Sequence, residues 1–216
     1  MVTMNKIELI FKSTLAGIFI GIASCIYVTC VNTIAIPEGK VIGSCLFSVG
    51  LISVILLEAF LYTGKIGYVN SKTAIIDALI GLVFNLLAAF VVGLIYRGVI
   101  GTQTVMDSRV SKTWYRLIID GMGCGALIYL AVELYKKKQS IILIILPVMA
   151  FILAGFEHCI ADAAYYGMCE LSPEGLLAIL SVILGNSIGS LIIRWIQIGF
   201  TKIVKKDSQR SAKNLF

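Results

Sequence analysis

The chain has 216 residues, of which 59% are hydrophobic and only 14% are charged, with a mean hydropathy of +0.97 and a formal charge of +6. A soluble domain this apolar could not cover its surface with polar groups, so the composition excludes an ordinary soluble protein and indicates one surrounded by lipid. Nucleic-acid binding is not indicated, because the basic residues are scattered through short breaks between apolar runs.

The apolar runs predict six membrane spans, because a helix needs about 20 mostly apolar residues to cross a bilayer. In chain order the spans cover residues 13–35, 41–63, 74–96, 115–135, 140–164 and 175–200. The breaks between them carry glycine, proline or charged residues and are too short for a soluble domain. We therefore expect an all-α membrane protein in which residues 1–216 form a single transmembrane domain.

The distribution of lysine and arginine predicts that both termini are cytoplasmic, because basic residues concentrate on the cytoplasmic side of membrane proteins. Few basic residues fall on the opposite, outer side, and most of those lie between the third and fourth spans. The outer ones are Lys40, Arg97, Arg109, Lys112 and Arg116. This local concentration of charge indicates a region that attracts anions.

A weak internal sequence similarity relates the two halves of the chain. The segment from Ala59 resembles the segment from Ala154, ninety-five residues later, and in that register Thr63 meets His158. The third and sixth spans share an asparagine, Asn85 and Asn186. Two sets of three spans would be inverted repeats, an architecture that places a solute site near the bilayer midplane.

Three ionisable side chains, Glu157, His158 and Asp162, lie within the fifth apolar run. Each costs roughly 2.5–3.5 kcal/mol at a helix centre, so such groups normally face a pathway or a partner. Imidazole, with an ordinary pKa of about 6.5, suits proton exchange. The alternatives are a hydrogen-bonded core histidine and acidic groups that merely cap the end of the span. Without a second histidine or a CxxC pair, we predict no metal, no cofactor and no catalytic residue.

An ordered set of short motifs resembles the formate/nitrite transporter family over nearly the whole chain. Phe156-Glu157-His158 is similar to the family's central-histidine motif, and Leu61-Tyr62-Thr63-Gly64 is similar to the loop that interrupts its second helix. The other matches are Phe47 to Leu51, Phe151 seven residues before the histidine, and Asn186 to Gly189.

The resemblance implies an aquaporin-like protomer of six transmembrane helices, arranged as two inverted three-helix repeats with interrupted helices 2 and 5, in a homopentamer. Each protomer would have its own pore, in which Thr63 and His158 face each other. By residue match, apolar constrictions would be formed by Phe47, Leu51, Leu61, Tyr62, Phe151 and Phe156. Glu157, Asp162, Asn85 and Asn186 would support them. The alternative for Phe47 and Phe151 is ordinary packing.

Three positions depart from the family pattern. The family usually has a lysine in the outer connection, where the best match here is Arg109, with Lys112 next. It commonly has asparagine where Asp162 stands, and its fourth-helix asparagine appears as Gly125. A carboxylate near the histidine would either hold it protonated or repel anions.

The implied function is a channel or secondary transporter for small monovalent weak-acid anions, formate or nitrite first, in a bacterial cell membrane. Arg109 and Lys112 would attract the anion, and His158 would exchange a proton with it. Hydrosulfide, lactate and acetate are alternatives within the resemblance. Two further alternatives are a pore for neutral solutes and a membrane enzyme or metal protein built on Glu157, His158 and Asp162.

Overall fold

A computed structural model describes residues 5–35 and 37–213, with side chains described as far as residue 203. This part of the chain is helical throughout, apart from its connections. The helices are α1 (Lys6–Thr33), α2 (Glu38–Leu56), α3 (Tyr62–Lys65), α4 (Lys72–Ile100), α5 (Asp107–Val110), α6 (Trp114–Lys138), α7 (Ile142–Leu153), α8 (Cys159–Met168) and α9 (Pro173–Lys213). A 3-10 turn over Ile66–Tyr68 follows α3.

Five of these helices, α1, α2, α4, α6 and α9, are long and apolar enough to cross a membrane. Their outward faces carry large apolar side chains that a water-soluble surface would not tolerate in such number. Leu87 on α4 is 55% exposed and Leu184 on α9 is 57% exposed. The composition-based prediction of an all-helical membrane protein agrees with this surface.

The second and fifth apolar runs are not continuous helices. Helix α2 ends at Leu56, before the predicted limit of residue 63, and the chain resumes a helical conformation only at Tyr62. The run predicted over residues 140–164 is divided into α7 and α8 by a non-helical stretch around Gly155, whose φ of +75° suits glycine. Hydropathy does not detect these breaks because both stretches remain apolar in composition.

The helices pack as two similar groups. In the first group α1 contacts α2 and α4, and in the second group α6 contacts α7 and α9. Glycine allows the closest approaches: a Cβ on Gly189 of α9 would collide with the carbonyl of Met122 on α6, and one on Gly93 of α4 with the carbonyl of Ala164 on α8. Backbones in van der Waals contact are how apolar helices associate in lipid.

Candidate functional site

Two cavities enter the helix bundle from opposite ends and are separated by a narrow apolar barrier. The outer cavity, about 440 Å³, reaches Phe47, Phe151 and His158. The inner cavity, about 540 Å³, reaches Leu51 and Leu61. We name them after the predicted orientation, in which the loop between α4 and α6 faces outward. A solute crossing the protein between these cavities would have to pass the barrier.

Two phenylalanines form the outer side of the barrier. The rings of Phe47 on α2 and Phe151 on α7 meet edge to face, with centroids 6.0 Å apart, and each residue is 2% exposed. The Phe151 ring also stacks on the His158 ring, with centroids 6.1 Å apart. Leu51 lies one turn after Phe47 on α2 and lines the opposite cavity. The barrier at this point is therefore one helical turn thick.

His158 and Thr63 lie within the barrier and touch each other. The His158 Nε2 and the Thr63 Oγ1 are 2.9 Å apart, and the two residues are 2% and 1% exposed. They come from the two breaks, since Thr63 is in α3 and His158 precedes α8. His158 lines the outer cavity, whereas Thr63 lines neither cavity.

The hydrogen bonds of His158 determine which ring nitrogen carries its proton. The Nδ1 accepts a hydrogen bond from the backbone N–H of Ala161, 3.2 Å away, and so caps helix α8. An accepting nitrogen has no proton, so the neutral ring carries its proton on Nε2 and donates it to the Thr63 hydroxyl. The Thr63 O–H is then free to donate to a solute. Moreover, an added proton on Nδ1 would break the cap and place a cation at a helix N-terminus, where the macrodipole disfavours it.

Two buried asparagines hold the breaks in place. Asn186 on α9 accepts from the Cys159 N–H (3.0 Å) and donates to the carbonyls of Glu157 and Gly121, both at 2.9 Å. These bonds satisfy the backbone groups on either side of His158. In lipid such groups have no water to bind, and leaving each one unpaired costs several kcal/mol.

Asn85 on α4 does the same for the other break. It accepts from the Tyr62 N–H (2.7 Å) and donates to the carbonyls of Phe60 (2.9 Å) and Ser13 (2.7 Å). The bonds thus surround Leu61 in the way that those of Asn186 surround His158. The backbone partners of the two asparagines thus match at an offset of ninety-seven residues, two more than the offset of the sequence similarity. At this offset, Leu61 corresponds in position to His158.

Replacing Asn186 by leucine should lower the thermal unfolding midpoint sharply, because three buried backbone groups lose their partners at about 1–3 kcal/mol each. Asn85→Leu should have a similar effect at the other break. Asn32→Leu is the matched control, since Asn32 is exposed and its change should stay within about 0.5 kcal/mol. Thermal unfolding of the three purified variants in detergent measures this. Equal midpoints for Asn186→Leu and Asn32→Leu would contradict the role given to Asn186.

A network of charges joins the loop between α4 and α6 to the break before α8. Arg109 contacts Glu157 and Asp162, each at 2.8 Å. Lys112 contacts Glu157 at 2.8 Å and Asp120 at 2.9 Å, and Arg116 also binds Asp120, at 3.0 Å. The three carboxylates are at most 4% exposed. Three cations therefore meet three buried anions.

These contacts fix the charge of the two basic residues. Burial alone would lower the pKa of Arg109, but the carboxylates of Asp162 and Glu157 outweigh it and raise that pKa above its ordinary value. For Lys112, burial is likewise outweighed by the hydrogen bonds to Glu157 and Asp120, so its pKa is also raised. Both remain cationic, but their charges are largely offset. Attraction of anions by Arg109 and Lys112 therefore stays a prediction.

Two of the departures from the family pattern, Arg109 and Asp162, form an ion pair with each other. Arg109 stands where a lysine was expected and Asp162 where an asparagine was expected, and the Arg109 Nε donates to the Asp162 Oδ1. A guanidinium binds two carboxylates at once, which a single ammonium does less specifically. Asp162 is therefore engaged by Arg109, and His158 bonds to Thr63 and Ala161 instead.

Two participants, Asp120 and Tyr165, were not singled out from the sequence, and Lys40 was named only as an outer basic residue. Asp120 completes the charge network, the Tyr165 ring lies under the Arg109 guanidinium at 4.7 Å, and Lys40 lines the outer cavity. A carboxylate near the start of the fourth apolar run was the available signal for Asp120. Among the described side chains, no carboxylate pairs with Lys40, which makes it an available cation of the outer cavity.

Of the remaining predicted residues, some line the outer cavity and others pack between helices. Phe156 lines the outer cavity and packs over Gly123. Tyr62 lines neither cavity, and its hydroxyl lies 2.8 Å from that of Ser187 on α9. Glu157 and Asp162 point to Arg109, so the metal site considered with His158 is not assembled. Nor does any group of three metal-binding side chains occur within the described part of the chain.

A helical fold with five membrane-length helices and an apolar barrier between two cavities defines an integral membrane protein of the channel and transporter class. The sequence model for the formate/nitrite transporter family matches residues 1–196. The chain belongs to the formate/nitrite transporter family, which confirms the resemblance seen in the sequence.

Individual relatives agree with this assignment. The uncharacterized transporter YrhG of Bacillus subtilis strain 168 is 27% identical, over 96% of this chain and 91% of its own length. The formate channel FocA of Escherichia coli strain K12 is 26% identical, over 74% of this chain and 65% of its own length. The matched region thus spans about two thirds of that channel.

Solved structures share the fold. A formate/nitrite transporter family ion channel superimposes with a TM-score of 0.83 and 18% identity, covering 91% of both chains. A pentameric formate channel with formate bound superimposes with a TM-score of 0.77 and 21% identity, covering 92% of this chain and 97% of the other. At these low sequence identities, the comparison with the solved structures establishes similarity of fold.

Proposed function

We propose that the protein carries small monovalent anions of weak acids, formate or nitrite first, across the membrane. The observation that carries this proposal is the hydrogen-bonded pair of Thr63 and His158, buried between two cavities and flanked by apolar side chains. Relatives named formate channels support the substrate class.

The proposed architecture has six spans in two inverted three-helix repeats, with α2–α3 and α7–α8 as the interrupted second and fifth spans. The matching asparagine networks at Leu61 and His158 support it. The protomer is aquaporin-like, forms one transmembrane domain and assembles as a homopentamer. The fold shared with a pentameric formate channel supports this assembly. We place the protein in a bacterial cell membrane with both termini cytoplasmic.

The transport cycle begins in the outer cavity, where Lys40 is the cation available to an anion. Arg109 and Lys112, whose charges are largely offset by carboxylates, mainly hold the His158 loop in position. A bare anion cannot pass Phe47 and Phe151 cheaply, because desolvation without pairing is too costly. At the barrier it meets the Thr63 hydroxyl, which donates a hydrogen bond.

A proton then converts the anion into its neutral acid, which passes the barrier more easily. Direct transfer from the neutral His158 ring would leave an imidazolate, and a cationic ring would lose its bond to Ala161. We therefore favour a proton that arrives through water, with Nε2–H of His158 orienting the Thr63 hydroxyl toward the anion. His158 is in this scheme a hydrogen-bonding residue for the proton exchange.

Uptake of [¹⁴C]formate into proteoliposomes, in competition with a panel of small anions at two pH values, tests the proposed function. We expect faster uptake at the lower pH and competition by nitrite. Stronger competition by hydrosulfide, lactate or acetate would reassign the substrate within the family. Flux of a neutral solute such as glycerol, without any dependence on pH, would favour the neutral-solute pore and contradict the proposal.

A further inference from the structure

Two lysines line the inner cavity without a salt bridge to any described carboxylate. Lys65 ends α3, Lys136 lies near the end of α6, and both border the same cavity of about 540 Å³. Among the described side chains, neither ammonium group forms a salt bridge, whereas Lys12 in the same lining binds Glu8 at 2.9 Å. In the outer cavity, by comparison, Arg109 and Lys112 are each held by two carboxylates, and Lys40 has no salt bridge among the described side chains.

Aromatic rings hold these two ammonium groups in place. The Lys136 Nζ lies 3.7 Å from the centroid of the Tyr68 ring, and the Lys65 Nζ lies 5.9 Å from that of Phe60. The Tyr68 hydroxyl donates to Glu133 at 2.7 Å, which fixes the ring. A cation–π contact positions a cation without cancelling its charge. Neither contact neutralises its ammonium group as a carboxylate would.

Two like charges beside one cavity repel each other, and an anion between them removes that cost. The lining contains one carboxylate, that of Glu58, which is exposed to solvent. We propose that Lys65 and Lys136 form a binding site for a small carboxylate or similar monovalent oxyanion at the inner mouth. This inference rests on the proposed function and adds a second anion site, separate from Thr63 and His158.

The position of this site gives it a definite role. Leu51 and Leu61 belong to the same lining, so an anion held by the lysines waits directly beside the inner face of the barrier. It exchanges part of its hydration shell for two ammonium groups before it reaches Thr63. Cavities with charge of one sign raise the local concentration of the opposite ion by about tenfold or more. Entry from the inner side should therefore saturate at lower anion concentration than it would without these lysines.

The double variant Lys65→Gln/Lys136→Gln tests the site in vesicles of a single protein orientation. We expect KM for formate entering from the inner face to rise about fivefold or more, with the maximal rate and the KM from the outer face within about twofold of wild type. Lys138→Gln is the matched control, on the same helix and outside the cavity lining, and should leave both values unchanged. An unchanged inner KM in the double variant would overturn the proposal.

Binding measured without transport separates this site from the proposed function. Protein in lipid nanodiscs should broaden the [¹³C]formate NMR signal, and Lys65→Gln/Lys136→Gln should reduce the broadening while Lys138→Gln does not. Equal broadening by wild type and the double variant, or none by either, would overturn the site. Absence of formate flux through wild-type protein, with broadening still dependent on the lysines, would instead overturn the proposed function alone.

Discussion

Replacing His158 by phenylalanine should reduce the initial rate of formate uptake into proteoliposomes by about 100-fold. Phenylalanine retains the bulk of the ring but has neither nitrogen. The Thr63 hydroxyl loses the donor that orients it, and the anion meets an uninterrupted apolar barrier. Positioned side chains that assist proton transfer contribute roughly 10²–10⁴-fold to rates.

A second substitution separates this role from folding. Phenylalanine also leaves the Ala161 N–H without its cap, whereas His158→Asn retains a side-chain oxygen suited to an N-cap. The asparagine is too short to replace the bond to Thr63. We expect His158→Asn to keep the wild-type unfolding midpoint and oligomer size, and still to lose most of the flux. Normal flux with normal pH dependence in either variant would refute the role assigned to His158.

Replacing Arg109 by methionine should produce the largest loss of stability among the charge variants, about 3–5 kcal/mol. The substitution leaves Asp162, only 1% exposed, without its cation, and removes one of the two cations on Glu157. An uncompensated buried charge is far more costly than the loss of a surface pair. Because Glu157 and Asp162 flank His158 in the sequence, transport should fall as well.

The pairing with Asp162 can be measured by a double-mutant cycle. Asp162→Asn removes the anion, so Arg109→Met/Asp162→Asn should recover at least about half of the stability lost in Arg109→Met alone. Arg116→Met is the matched control, because its side chain is 60% exposed and its partner Asp120 keeps Lys112. The control should cost at most about 1 kcal/mol. Unfolding in denaturant measures all four variants, and additive losses would show that Arg109 and Asp162 are not coupled.

The sequence predicted the helices well because crossing lipid demands long apolar runs, a signal that is local. Hydropathy did not predict where α2 and α7 end, although the family resemblance implied that the second and fifth helices are interrupted. The break before His158 is stable only because Asn186, far along the chain, satisfies its backbone groups. Because the sequence does not show that contact, the apolar residues around Gly155 predict one continuous span.

The part of the candidate site that could be predicted consists of single residues that are unusual in a membrane span. A histidine and two carboxylates stood out because ionisable groups in an apolar run cost free energy to insert into lipid. The family motifs paired His158 with Thr63. The engagement of Asp162 by Arg109, fifty-three residues away, was not visible, so the two departures appeared unrelated. The cavity shared by Lys65 and Lys136 likewise depends on tertiary packing, which the hydrophobic periodicity of the sequence does not predict.

The central claim is that a weak-acid anion crosses the barrier as its neutral acid, together with a proton. Proteoliposomes that contain a pH-sensitive dye, given an inward formate gradient, measure it most directly, with protein-free vesicles as the background for passive formic acid. We predict acidification of the lumen by about one proton for each formate that enters through the protein, without any net movement of charge. Formate entry that charges the membrane and leaves the lumen pH unchanged would contradict the claim.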